Sequence, residues 1–398
     1  MKILFLTLAR IDNIEVQGIY TDLLRKFRDN GHELTIVSPS ERKLGKKTNY
    51  VNKDNVRILN VWTTNFQKTN LIEKGITTLF LEFYYYVAIK KYVKYNDLDL
   101  ILYSTPPITF TYLIKRLKLV SNAKTYLLLK DIFPQNAVDL NLLKYSSVLY
   151  KYFRKQEKIL YSLSDYIGCM SPANLDYVLE NNPEIEKKKL EVNPNSIEVN
   201  RKVFSPEIDL YTKYCIPKNK VIFIFGGNLG IPQGINFLKT NIAYCKTIKE
   251  AFFLIVGDGT EYNNFSNWIE KDKIFNALLI KELPKSEYDH IIKLSHVGLI
   301  FLSPQFTIPN FPSRLLSYMQ NKLPVICATD SSTDIGKIAF ENSFGYTCLT
   351  TDHNSFYEYV IKLLNKELRI TMGENALNYL VKEYSVEISY NKIVNKIN

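Results

Sequence analysis

Three loops in the second half of the chain carry residue types suited to holding an anion. The first is Gly226-Gly227-Asn228-Leu229-Gly230-Ile231-Pro232-Gln233-Gly234. Glycines let the backbone approach phosphate oxygens and aim N–H groups at them, and the amides of Asn228 and Gln233 add side-chain donors. Gly227, Asn228, Gly230 and Gln233 are the candidate contacts; a turn needed only for packing is the other reading. The second loop, Val256-Gly257-Asp258-Gly259-Thr260-Glu261, is a common turn taken alone, with Gly257 and Asp258 as candidates. The third, Pro309-Asn310-Phe311-Pro312-Ser313-Arg314-Leu315-Leu316-Ser317, sets Pro312 in the first turn of a helix. The amides of Ser313 and Arg314 then face the anion and the guanidinium of Arg314 adds a two-pronged clamp, flanked by Asn310 and Ser317. A solvated helix start is the alternative there.

Each loop follows, or stands next to, a short apolar run of the kind expected for a strand covered on both faces. In the second half these runs are Lys220–Gly227, Phe252–Gly257, Val297–Phe301 and Pro324–Ala328. The first half opens in the same way at Met1–Thr7, continues with a helix over Gly18–Asn30 and a strand over Glu33–Val37, and repeats the rhythm at Leu98–Tyr103, Thr125–Leu129 and Asp165–Met170. The pattern predicts an α/β chain of two Rossmann-like doubly wound domains. The first spans 1–200, with a helix over 376–398 packing back on it, and the second spans 201–375, joined through a linker within Asn193–Lys218. Ligands of open parallel sheets bind outside the carboxyl ends of the strands, so two such domains are expected to line an interdomain cleft.

A chain of 398 residues is long enough for two cores. The five cysteines lack CxxC spacing, no apolar leader precedes the first strand, and no run reaches the roughly 18 apolar residues of a membrane span. A reduced, cytoplasmic chain without disulfides, zinc or another metal site is expected. A net charge of +11 asks for an anionic partner: nucleic acid, acidic lipid or a phosphorylated ligand. The first loop is not a GxGxxG fingerprint and no acidic residue is suitably placed after a second strand, so nicotinamide chemistry is disfavoured. No nucleic-acid-binding module is recognisable, and none is expected as a partner.

Together the segment GGNLGxxQG, the segment Ile308–Met319 (IPNFPSRLLSYM) and the string Lys130-Asp131-Ile132-Phe133-Pro134-Gln135-Asn136-Ala137-Val138-Asp139-Leu140 resemble family 4 glycosyltransferases of the GT-B fold, over nearly the whole chain. Within that family they look like the bacterial N-acetyl-L-fucosamine transferases of O-antigen and capsule synthesis. The resemblance implies a retaining, metal-independent hexosyltransferase without cofactor. Its donor is a UDP-sugar, N-acetyl-L-fucosamine or another N-acetylhexosamine, and its acceptor is a polyprenyl-diphosphate-linked saccharide. The family's Arg and Lys on the donor diphosphate fall here at Asn228 and Gln233, and its two glutamates fall at about Pro309 and Ser317.

The resemblance further implies that Gly18 approaches the donor phosphates, though a plain helix start suits it too, and that Glu282 and Leu283 frame the base. Arg314, helped by Lys322, is expected to neutralise the leaving diphosphate. Asp131 is expected to orient or deprotonate the acceptor hydroxyl, with a helix N-cap or a pairing with Lys130 as alternatives, and Lys130 to touch the donor sugar or a phosphate. His290 and His296, six apart, do not make a metal pair. Leu79–Lys94 and Lys144–Lys158 mix aromatic and basic residues and can lie in an anionic interface, as a protein peripheral to the inner face of the cytoplasmic membrane would require. Ordinary helices packed on a sheet are the competing view. Two other functions share the fold: a sugar-nucleotide epimerase, and a catalytically silent paralogue.

Overall fold

In a computed structural model, residues 1–53, 55–67, 69, 71–199 and 209–397 are described. The chain forms two compact units, Met1–Glu198 with Val386–Asn398, and Val199–Ser385. In the first unit the strands are β1 Lys2–Leu6, β2 Glu33–Glu41, β3 Asn49–Lys53, β4 Val56–Thr63, β5 Leu100–Ser104, β6 Lys124–Leu129, β7 Tyr166–Cys169 and β8 Leu190–Val192. They align in the order β3-β4-β2-β1-β5-β6-β7-β8, and every pairing is parallel except β3 with β4. Its helices are α1 Ile19–Asp29, α2 Leu71–Tyr92, α3 Thr111–Ser121, α4 Gln135–Asp139, α5 Val148–Leu163 and α6 Pro172–Asn181.

The second unit holds β9 Val221–Gly226, β10 Ala251–Val256, β11 Ala277–Ile280, β12 Val297–Phe301, β13 Val325–Thr329 and β14 Gly345–Leu349. The order is β11-β10-β9-β12-β13-β14, parallel throughout. Helices α7 Leu210–Lys213, α8 Ile235–Tyr244, α9 Tyr262–Lys271, α10 Lys285–Leu294, α11 Arg314–Gln320, α12 Ile335–Glu341, α13 His353–Lys362 and α14 Lys366–Glu383 connect them, and α15 Val386–Ile397 belongs to the first unit. The central strands β1, β9 and β12 are buried along nearly their whole length, so their continuous apolar runs match a sheet covered on both faces.

Two sequence boundaries shift. The returning helix begins at Val386, not at 376, because α14 runs unbroken to Glu383 and packs on α11. At Gly373 a Cβ would stand 2.1 Å from the Lys322 carbonyl oxygen, so glycine permits that approach. Helix α15 then lies on α1, where Tyr390 meets the ring of Phe27 at 4.9 Å and shares a 2.9 Å hydrogen bond with His32 Nε2. The expected linker is also shorter: Asn193, Asn195, Ser196 and Ile197 are buried, and the Ile197 carbonyl accepts the N–H of Val386 within the first unit. Residues 200–208 of that linker lie outside the described residues.

Candidate functional site

In the second unit β9 ends at Gly226 against two tyrosines. The Gly226 N–H donates to Tyr318 Oη at 3.1 Å, and Tyr318 Oη donates to the Ile224 carbonyl at 3.2 Å. A Cβ at Gly226 would fall 1.9 Å from Tyr288 Oη, so only glycine lets the α10 tyrosine in. The glycine-rich loop is laced to its neighbour: the Gly227 N–H donates to Val256 O, Leu229 N–H to Asp258 O, and Glu261 N–H to Leu229 O, each at 2.9 Å. Gly257 sits so close beneath that a Cβ there would lie 1.8 Å from the Gly227 carbonyl oxygen. Asp258 Oδ1 accepts the Gly259 N–H at 2.9 Å and holds this turn. The first two predicted loops are therefore one structure, with Gly227 and Asn228 exposed on it.

Arg314, the first residue of α11, joins that structure from the side. Its guanidinium carbon stands 4.3 Å over the ring of Phe225, and a Cβ at Gly227 would be 3.4 Å from its Nη2. Nη1 is buried without a hydrogen-bond partner. Burial lowers its pKa, nearby Tyr318 and Tyr288 oppose that, and no carboxylate contributes. A guanidinium in this state is costly unless something anionic completes it. The exposed backbone of Gly227 lies beside it, which makes a cradle for a phosphate-sized group.

Several predicted contacts are placed differently. Asn228 Nδ2 donates to Gln233 Oε1 at 3.1 Å, so the two amides close on each other. Asn310 turns its Nδ2 to the Ile308 carbonyl at 3.0 Å and fixes its own loop, with its N–H on Thr333 Oγ1. Helix α11 starts at Arg314 rather than at Pro312, with Ser313 exposed before it and Ser317 half-buried one turn on. Lys322 lies at the far end of α11, where it pairs with Glu374 at 2.7 Å, and so does not join Arg314. Gly230 is buried inside the loop, Glu282 is exposed and Leu283 half-buried just before α10. His296 Nδ1 accepts the Ile222 N–H, and His290 lies on α10. Among the described residues no group of His, Cys, Asp and Glu comes together in a metal-holding arrangement.

The first unit carries a second cluster at the carboxyl ends of β5 to β8. Thr105 Oγ1 accepts the N–H groups of Lys130 and Asp131 and donates to the Asp131 carbonyl, tying the ends of β5 and β6 together. The Asp131 carboxylate accepts from Asn136 Nδ2 at 2.8 Å on both oxygens. Burial pushes its pKa up to about 6, against the pull of Asn136 and the Ile132 N–H. Burial likewise pulls Lys130 down to about 7. The amine reaches the Asn193 carbonyl at 3.5 Å and pairs with no carboxylate among the described residues. Both alternatives for Asp131 fall away: Pro134, not Asp131, precedes α4, and Asp131 does not pair with Lys130. Gly18 caps α1 with its N–H spent on Asp22 Oδ1 at 2.9 Å, the plain helix start.

Residues 210–379 match the family described as Glycosyl transferases group 1. The match lies within the second unit, which is similar to group 1 glycosyl transferases. The chain is 24% identical over 327 residues, 82% of its length and 80% of the relative's, to the probable glycosyltransferase WbjE of Pseudomonas aeruginosa. Its fold is similar to the E. coli trehalose-6-phosphate protein bound with UDP-2-fluoro glucose, with TM-score 0.75, 12% identity and coverage of 99% and 98% of the two chains. Anabaena Alr3699/HepE in complex with UDP is similar at TM-score 0.67 and 13% identity, covering 100% and 99%. The chain is thus a GT-B glycosyltransferase. Arg314, Lys130 and Asp131 were singled out from the sequence as candidates and stand in these two clusters, whereas their neighbours Phe225, Tyr288, Tyr318, Thr105 and Asn136 were not. Asn136 stood in the quoted string; the tyrosines gave no signal beyond helical spacing.

Proposed function

We propose that this glycosyltransferase moves N-acetyl-L-fucosamine, or another N-acetylhexosamine, from a UDP-sugar to a polyprenyl-diphosphate-linked saccharide, with retention and without a metal. Bacterial capsule or O-antigen synthesis at the inner face of the cytoplasmic membrane is the setting proposed. The observation that carries the donor half is Arg314: a half-buried arginine whose buried Nη1 has no hydrogen-bond partner, beside the exposed Gly227 backbone. A nucleoside diphosphate supplies the missing acceptors, and the UDP-bound state of two structural neighbours supports that choice.

In the proposed reaction the bond between the anomeric carbon and the diphosphate oxygen breaks and UDP leaves with the bonding pair. Arg314 is worth more as that charge grows than in the ground state, which is what accelerates a step. The acceptor hydroxyl oxygen bonds to the anomeric carbon and its proton goes to Asp131, whose pKa near 6 leaves it ionised yet basic at neutral pH. Lys130, without a carboxylate partner among the described residues, is assigned to the donor sugar or a phosphate oxygen. Asn228, Gly230, Gln233, Gly257, Asp258, Glu282, Leu283, Asn310, Ser313 and Ser317 shape the donor loops in this reading, and Gly18 caps α1.

The test is UDP release by the purified chain with a panel of UDP-sugars, UDP-N-acetyl-L-fucosamine included, and a short-chain polyprenyl-diphosphate sugar, in the presence of EDTA. Release that requires the lipid acceptor and survives EDTA is expected. Failure of every UDP-sugar to bind would overturn the reading in favour of a silent paralogue.

A further inference from the structure

Helices α2, α3 and α5 cover the same side of the first sheet, burying Leu81, Tyr85, Leu113, Leu117, Phe153 and Leu160 in one core. They stand side by side. Glu82 of α2 accepts the Leu113 N–H of α3 at 2.7 Å, the rings of Tyr86 and Tyr112 meet at 5.7 Å, and Thr111 of α3 donates to Gln156 of α5 at 2.7 Å. A solvated helix layer of this kind normally turns charged and polar residues outward.

This layer does not. On α2, Ile76, Phe80, Phe83 and Val87 recur at steps of four, three and four, which places them on one face, and each is 47–60% exposed. Helix α3 adds Leu119 at 69% and Val120, and α5 adds Val148 at 84% and Leu149. Exposed cations lie among them: Lys90 and Lys91 at the end of α2, Lys115 and Arg116 on α3, Lys151 and Lys155 on α5. The carboxylates of the three helices are used elsewhere. Glu73 pairs with Arg42, Glu82 holds the Leu113 N–H, and Glu157 is buried with Arg154. A notch between α2 and α3 brings Lys90 and Arg116 to a floor of Tyr86, Ile89 and Val120.

We infer that the outer face of α2, α3 and α5 docks on an anionic lipid bilayer, its apolar side chains entering the headgroup boundary and its cations meeting lipid phosphates. The charge pattern chooses the occupant. A second copy docking by this face would set cation against cation, and a purely apolar partner would bury six charges without acceptors. A bilayer with anionic headgroups accepts both groups at their natural depths. The inference deepens the membrane part of the proposed function and does not depend on which sugar is moved.

Flotation of the full chain with vesicles of phosphatidylcholine alone, or mixed with phosphatidylglycerol, tests it. Binding to the mixed vesicles only, weakened by salt, is expected. Phe80→Ser with Phe83→Ser should abolish flotation, and Lys90→Gln with Arg116→Gln should lower it by roughly five-fold per charge removed. Lys366→Gln with Lys382→Gln, on the second unit, should leave it unchanged. Equal flotation of the serine variant, or serine substitution that converts a dimer to a monomer without changing flotation, would overturn the inference. UDP release toward a detergent-dispersed acceptor should be unaffected by these substitutions. If the chain floats but moves no sugar, the transferase reading fails and the docking face stands.

Discussion

The guanidinium of Arg314 lies over the ring of Phe225, with its carbon 4.3 Å from the centroid. Phe225 is the penultimate residue of β9 and wholly buried, so the ring is a fixed floor. Cation–π contact of this kind, worth about 2 kcal/mol when desolvated, holds the charge in place without supplying a hydrogen-bond acceptor. The site is therefore positioned before any ligand arrives.

Arg314→Lys keeps the charge and loses the planar fork and the stacking. UDP affinity measured by calorimetry should fall by roughly 10–100-fold. The melting temperature should fall only modestly, since the stacking on Phe225 is weakened but no native ion pair is broken.

Lys322→Gln is the contrasting change. Lys322 pairs with Glu374 on a half-exposed surface at the other end of α11. Donor affinity should be unchanged and stability should move by less than about 1 kcal/mol.

Tyr318→Phe removes the hydroxyl that satisfies both the Gly226 N–H and the Ile224 carbonyl. Both groups are buried, so urea unfolding should show a loss of about 1–3 kcal/mol. Gly75→Ala works in the opposite direction. Nothing lies within 4 Å of a Cβ there, on an exposed turn of α2, and a gain of about 0.5–1 kcal/mol is expected.

The pH profile follows from Asp131 and Lys130. Asp131 is basic only above about 6, and Lys130 is a cation only below about 7. The kcat/KM of free enzyme should therefore rise through the first value and fall through the second. Lys130→Arg, which stays charged, should remove the falling limb; Asp131→Asn should abolish turnover while leaving UDP binding intact. For stability the signs are separate. The lysine's pKa is depressed on folding, so its unfavourable burial grows as pH falls from its ordinary value toward 7. Lys130→Met should raise the melting temperature by roughly 3 °C or more at pH 6 and less at pH 9.

What the sequence determined by itself was the pair of sheets and the loops that matter. Runs such as Val221–Gly226 and Leu100–Ser104 are apolar without alternation, which suits a strand buried on both faces, and glycines at 226, 227 and 257 mark strand ends where a side chain or another backbone segment comes close. Those signals are local, spanning a few residues, and they survive in one sequence. What only the tertiary structure decided was which side chains share a site. Arg314 and Phe225 are far apart in the chain, as are Tyr288 and Gly226, and nothing local distinguishes an arginine left without a partner from one that finds a carboxylate. Asn228 with Gln233, and Lys322 with Glu374, read as free donors until packing gave them partners. The return of α15 to α1, and the joining of α2, α3 and α5 into one apolar, basic face, likewise depend on how helices settle on a sheet. That choice is made by buried surface summed over distant segments, which no window of sequence contains.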